Sequence, residues 1–144
     1  MIEVRKVQNE EELQKAFAIR KEVFVNEQNV PADEEYDSHE AESRHFLAFY
    51  NNEPCGTARW RFTEKGIKLE RFAVLAPYRK QKVGKAIVEK VLQDVKNDSN
   101  SAEKMIYLHA QVQVVGFYEK FGFEKFGEKF QECEIWHYAM KLKK

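Results

Sequence analysis

Val74-Leu75-Ala76-Pro77-Tyr78-Arg79-Lys80-Gln81-Lys82-Val83-Gly84-Lys85-Ala86 runs from the end of an apolar strand, through a basic loop, into a helix. The helix pattern continues with Ile87, Val88, Val91, Leu92 and Val95, which together with Val83 fall on one face at helical spacing. A strand, a polar loop and a helix start make an anion site. The first helical N–H groups have no partner within the helix, and the macrodipole favours negative charge there. Arg79, Lys80, Lys82 and Lys85 add positive charge at that end. A purely structural helix start would tend to carry Asp or Glu instead. The fitting ligand is a phosphate or pyrophosphate, and the alternative is a solvated basic loop.

Composition narrows the classes. The chain has 144 residues, enough for one domain with a real core, and residues 1–144 are expected to form a single domain. Lys plus Arg and Asp plus Glu number 24 each, so the net basic character of a nucleic-acid binder is missing. Eleven Phe, six Tyr and two Trp argue for a packed interior and against disorder. Cys55 and Cys133 stand far apart, and no Cys/His cluster supports a metal. The opening Met1-Ile2-Glu3-Val4-Arg5 lacks an apolar signal core, and no run is long enough to span a membrane. A cytoplasmic location with free thiols is therefore expected.

Around the opening stretch the order reads β α β β β α β α β β. Ile2–Gln8 is a strand. Asn9 with Glu12 resembles a capping box, and its helix runs to about Val25. Residues 26–43 are acidic and loop-like, with Pro31 as a breaker. Arg44–Tyr50, Cys55–Phe62 and Ile67–Leu75 are strands, the first two joined by the turn Asn51-Asn52-Glu53-Pro54. The helix at 84–96 follows. Then come a strand at Met105–Gln111, a short helix at Val114–Phe121 ended by Gly122, and a closing hairpin from Glu124–Phe130 and Ile135–Leu142.

Arg79-Lys80-Gln81-Lys82-Val83-Gly84, after a strand, resembles the acetyl-CoA motif R/Q-x-x-G-x-G/A of the GNAT superfamily, the Gcn5-related N-acetyltransferases. Gly116-Phe117-Tyr118-Glu119-Lys120-Phe121-Gly122-Phe123 is similar to the second signature of that family, a helix ending in a GF turn. The two occur in order, one strand apart, and the likeness covers nearly the whole chain. Phe24-Val25-Asn26-Glu27-Gln28-Asn29-Val30-Pro31 and Leu108-His109-Ala110-Gln111 further resemble a subgroup of small bacterial GNAT proteins, the YjcF/ElaA-like group. One departure stands out. Lys82 replaces the first motif glycine, and a position requiring φ > 0 would make lysine costly there.

The resemblance implies an α/β (α+β) acyl-CoA N-acyltransferase fold, with a mixed central sheet of six to seven strands flanked by helices. It implies transfer of acetyl from acetyl-CoA to a primary amine of a small molecule, by direct attack in a ternary complex. The alternative is a GNAT-fold module that holds acyl-CoA for regulation or partner recognition without turnover. No metal and no membrane partner is implied, and a homodimer through the late strands is compatible with the family.

Residue roles follow from the same resemblance. Phe72, Ala73 and Val74 would offer main chain to pantetheine in a gap between splayed strands. Arg79, Lys80, Gln81, Lys82, Val83, Gly84 and Lys85 would surround the pyrophosphate, with Gln111, Phe117 and Tyr118 completing the cofactor site. Tyr118 is the candidate general acid, against the reading as a core tyrosine. Glu70 is a candidate base. Strand alternation puts it on the face of Phe72, where an apolar neighbour could raise its pKa, and the competing reading is a salt bridge to Arg59 or Arg61. His109 is the rival base, since imidazole suits proton shuttling near neutrality; its competing reading is a buried structural histidine. His45 and His137 are read as structural, with the alternative that His137, after Trp136 in a late strand, borders the acceptor site. Glu27 and Gln28 fall where the family's acceptor loop lies. Arg59 and Arg61, alternating about Trp60, could bind an anionic acceptor or pair with strand acids. Asp33, Glu34, Glu35 and Asp37 are read as solvated loop charge that could attract a cationic amine.

Overall fold

In the computed structural model, which describes residues 1–143, the strands are β1 (Ile2–Lys6), β2 (Arg44–Tyr50), β3 (Glu53–Thr63), β4 (Gly66–Val74), β5 (Ile106–Gln111), β6 (Phe123–Glu132) and β7 (Ile135–Leu142). The helices are α1 (Glu10–Arg20), α2 (Ala32–Glu35), α3 (Val83–Asn97) and α4 (Val115–Glu119). One mixed sheet takes all seven strands in the order β1-β2-β3-β4-β5-β7-β6. Its pairings are antiparallel except that of β4 with β5.

Local chemistry explains the element ends. Asn9 accepts from the Glu12 N–H at 2.8 Å, and the Glu12 carboxylate reaches back to the Gln8 N–H at 3.1 Å, one residue earlier than a strict capping box. Glu10, Glu11 and Glu12 at the first turn of α1 and Arg20 in the last suit the macrodipole. Beyond Arg20 the coil widens into a π-helical segment, Lys21–Glu27, so it ends two residues past the expected Val25. Asn51 and Asn52, at φ +48 and +72, make the two-residue turn between β2 and β3. Cys133 and Glu134, at φ +50 and +64, do the same between β6 and β7, so β6 continues past the expected Phe130 to Glu132.

The sheet buries both faces near its centre. α3 covers one with Val83, Ile87, Val88, Val91 and Val95, against Phe46, Trp60, Ile67, Leu69, Leu108 and Met140. α1 covers the other with Ala16 and Ile19, against Leu47, Phe49 and Ala73.

Two irregularities in β4 position the site. The first is a bulge. Thr57 faces Ala73 and Arg59 faces Glu70, so Ala58 opposes both Arg71 and Phe72, and Arg71 sits at φ +60. The extra residue reverses the alternation. Glu70 shares the α1 face with Arg59, whereas Phe72 joins the core on the α3 face. This corrects the expectation that Glu70 and Phe72 point the same way. The second is a fork: β4 pairs with β5 only at Ile67–Ile106, Lys68–Tyr107 and Leu69–Leu108. Past that point β4 holds only to β3, and β5 only to β7.

The 26–43 segment is the other correction. It contains α2, and two of its acids are not solvated loop charge. Glu35 is 2% exposed, and both Glu35 and Asp37 are tied to arginines.

Candidate active site

The fork opens into a cleft of about 1520 Å³. A single small-molecule site occupies roughly 300–1,000 Å³, so this groove has room for two reactants. Leu69 and Leu108, the last paired residues, are both in the α3-side core. The next residue on each arm, Glu70 and His109, therefore faces the opposite lip. On the α3 side stand Phe72 and Tyr118, their rings edge to face at 5.8 Å. The two lips thus differ in chemistry: a tyrosine among aromatics on one, a carboxylate and an imidazole on the other.

α3 meets the cleft end-on. Its first backward hydrogen bond is from the Ala86 N–H to the Lys82 carbonyl, at 3.2 Å, which leaves the N–H groups ahead of it unspent in the helix. Lys80 and Lys82 adopt φ +71 and +68. The left-handed conformation is kept at position 82, and lysine bears the strain that a glycine would avoid. Lys80, Lys82, Gly84 and Lys85 line the cleft, as do Ala73, Val74 and Phe117. A Cβ on Gly84 would come within 3.3 Å of the Phe117 ring, so a larger residue there would press that ring back by a few tenths of an ångström. The Val83 side chain is in the core, and Gln81 is exposed in the loop outside the cleft lining.

The loop arginine is engaged elsewhere. Arg79 pairs with Glu27 at 2.7 Å and donates from Nε to the Val74 carbonyl at 2.8 Å. Glu27, expected where the acceptor loop lies, is thus held by Arg79 and is not among the residues that line the cleft. Its neighbour Gln28 accepts from Gln111 Nε2 at 2.8 Å. The end of the π-helical segment therefore clasps both arms of the fork: Glu27 through Arg79 to β4, and Gln28 directly to β5.

Glu70 does not carry a raised pKa. Burial alone would lift it, but the charges of Arg59, Lys68 and Arg61 prevail and hold it down to about 2. Arg61 Nε lies 2.6 Å from its carboxylate, Arg59 Nη2 3.0 Å and Lys68 Nζ 3.4 Å. Arg59 is correspondingly not an anion site. It is 0% exposed and bound by Asp37 at 2.7 Å, Glu40 at 2.8 Å and Glu70. Buried against Arg20 at 2.6 Å, Glu35 extends the same network, and Arg71 bridges Glu35 and Asp37. The Asp37 carboxyl, partly buried, is held well below its ordinary range by the Arg59 and Arg71 charges and the His39 N–H. Arg61 remains at the cleft wall.

Tyr118 is 7% exposed, touches Phe72, Phe117 and Phe123 edge to face, and lines the cleft; burial pushes its phenol upward. His109 lines the cleft from β5, with Nδ1 2.8 Å from Glu132 Oε2. His45 fits its structural reading and bonds the Glu40 carbonyl at 2.8 Å, whereas His137 bonds the Ile135 carbonyl at 2.7 Å and also lines the cleft.

Two cleft residues, Glu132 and Lys68, escape the sequence reading. Glu132 lies 23 residues from His109, in a strand expected to stop at Phe130. The signal is the two-residue turn at Cys133-Glu134. It places Glu132 and His137 on one face of a hairpin, and strand pairing sets that face beside His109.

A mixed sheet parted between two parallel strands, with a helix N-terminus and basic loop at the mouth, is the acyl-CoA N-acyltransferase fold. The chain belongs to the GNAT acetyltransferases, whose acetyltransferase (GNAT) domain model matches residues 4–144. It is 43% identical over 133 residues to the uncharacterized N-acetyltransferase YjcF of Bacillus subtilis (strain 168), covering 92% of this chain and 93% of that one. The crystal structure of Escherichia coli ElaA superposes with a TM-score of 0.87 at 27% identity, over 99% of this chain and 100% of that chain. A GNAT family acetyltransferase from Elizabethkingia anophelis, solved with acetyl-CoA bound, shares the fold at 17% identity, with a TM-score of 0.67 over 97% and 94% of the two chains.

Proposed function

We propose that residues 1–144 act as one cytoplasmic domain that moves the acetyl group of acetyl-CoA to a primary amine of a small molecule. The fork carries this reading: it gives one lip suited to a leaving thiolate and another suited to an incoming amine. Pantetheine lies between the arms as an added strand, on the main chain of Phe72, Ala73 and Val74 with Gln111 opposite. Its pyrophosphate sits at the start of α3, among the backbone of Lys82, Val83 and Gly84 and the charges of Lys80, Lys82 and Lys85. The acetyl-CoA-bound structure from Elizabethkingia anophelis shows that a fold of this kind accommodates the cofactor.

The amine attacks the thioester carbon directly, without an acyl-enzyme. Proximity in the ternary complex and proton handling at the two lips supply the catalysis. Tyr118 gives its phenolic proton to the departing sulfur; a phenol kept protonated by burial is available for that at neutral pH. His109 takes the proton that frees the amine. Glu70 is the weaker base because three cations hold it ionised. Arg61 and Gln28 border the acceptor, and an anionic group on the acceptor would meet Arg61.

Calorimetric titration with acetyl-CoA, followed by free-thiol release over a panel of amines, tests the reading. Saturable one-to-one binding and amine-dependent thiol release are expected, with Tyr118→Phe lowering kcat by about 100-fold. Binding without thiol release would make the protein an acyl-CoA-holding module instead. Absence of binding would remove both readings.

A further inference from the structure

Glu132 has no part in the acetyl-transfer scheme above, yet its carboxylate stands between two imidazoles in the same cleft. His109 Nδ1 is 2.8 Å from Oε2 and His137 Nε2 is 3.8 Å from Oε1. His137 is fixed from its other side, since its Nδ1 bonds the Ile135 carbonyl at 2.7 Å. Phe130 is wedged between the rings, edge to face with His109 at 5.0 Å and stacked on His137 at 5.9 Å. The turn at Cys133-Glu134 locks the register, with Glu132 opposite Ile135 and Phe130 opposite His137.

A carboxylate only accepts, so the nitrogen facing it must carry the proton. The contact at Nδ1 therefore leaves Nε2 as the lone-pair nitrogen of neutral His109. Nε2 has no hydrogen bond among the described residues, and the ring lines the cleft just past the last paired residue of the fork.

Resting on the acetyl-transfer reading, we propose that Glu132 is the positioning residue of His109: it holds the Nδ1–H tautomer and aims Nε2 at the acceptor. The acceptor ammonium loses one proton to Nε2, and the imidazolium so formed is paired to Glu132 through Nδ1–H. The freed amine then attacks. As the C–N bond forms and the C–S bond breaks, Tyr118 gives its proton to the sulfur, and the second nitrogen proton passes through water to the Tyr118 oxygen and restores the phenol. His109 returns its proton to water. The other charged or titratable groups about the pair are Lys68 and Glu70 from β4, Tyr107 on β5, His137 on β7, and Cys133 in the β6–β7 turn with Glu34 and Arg71 beside it. Tyr107 is spent on Thr63 at 2.6 Å and Glu70 on its cations, so Glu132 is the carboxylate left for His109. Burial alone would lift the Glu132 carboxyl, but His109, Lys68 and His137 keep it lowered and so ionised to accept from Nδ1–H.

Nitrogen-15 NMR of the imidazoles in the full chain decides this without knowledge of the acceptor. His109 is assigned by its loss in His109→Gln. The wild type is expected to show the Nδ1–H tautomer at His109, and Glu132→Ala, which removes the acceptor at Nδ1, to lose that preference. An Nε2–H tautomer in the wild type, or the same tautomer balance in Glu132→Ala, overturns the proposal. In the thiol-release assay, Glu132→Gln is expected to cut kcat about tenfold or more, with KM for acetyl-CoA unchanged. Glu132→Asp should recover part of kcat. Wild-type turnover in Glu132→Gln would sink the positioning role while leaving acetyl transfer standing. If no amine releases thiol, the acetyl-transfer reading falls and takes the catalytic role with it.

Discussion

Glu70 shows how one side chain changes meaning with its surroundings. Beside Phe72 it would be a raised, proton-hungry carboxyl; the bulge turns it instead toward Arg59, Arg61 and Lys68. A carboxyl depressed in the folded state stabilises above its unfolded value, and that stabilisation is lost as pH falls through the folded one. Denaturant unfolding should therefore show stability declining between pH about 4.5 and about 2, with the Glu70 share absent from Glu70→Gln. The cations were legible as a pairing option, because Arg59 and Arg61 sit two apart on a strand. Their outcome was not. It depends on Asp37 and Glu40, which come from a segment whose composition reads as solvated loop and whose burial is decided by tertiary packing.

At the scale of elements, α3 and its loop were the clearest part of the sequence. Apolar spacing gave the helix face, and the basic run gave the end that meets the cleft. The fork between β4 and β5 was legible only through family resemblance, since both strands read as ordinary apolar runs. The bulge at Arg71 left no sequence signal, because arginine is an unexpected residue at φ +60. Lys82 is the element-level test of strain. A left-handed lysine costs about 1–2 kcal/mol, and glycine relieves this while adding freedom to the unfolded chain. Lys82→Gly should thus change unfolding free energy by less than about 1 kcal/mol. It should also weaken cofactor affinity several-fold by removing a charge, read by calorimetry. Lys82→Val, β-branched in the same conformation, should destabilise by more than the glycine does.

On the scale of the molecule, part of the charge that cancels to zero in composition is gathered inside rather than spread over the surface. Arg20 and Arg59, 1% and 0% exposed, gather Glu35, Asp37, Glu40 and Glu70 between α1, α2 and the sheet. Removing one member of such a network leaves buried charges unpaired. Arg59→Ala is expected to cost about 3 kcal/mol or more in urea unfolding, whereas a surface pair such as Lys15–Glu11 should contribute within about 0.5 kcal/mol.

The three-rung contact between β4 and β5 has a mechanical side. Three residues span roughly 10 Å of strand. The four-strand block and the three-strand block of the sheet are thus joined along a seam far shorter than either block is tall. Such a seam should breathe. Amide exchange in the empty protein should be fastest at the open arm, 109–111, relative to the rest of the sheet. A pantetheine chain bridging both arms would lengthen the seam from within. The cofactor would then serve as mortar as well as reagent, and a saturating concentration should slow exchange in both blocks at once.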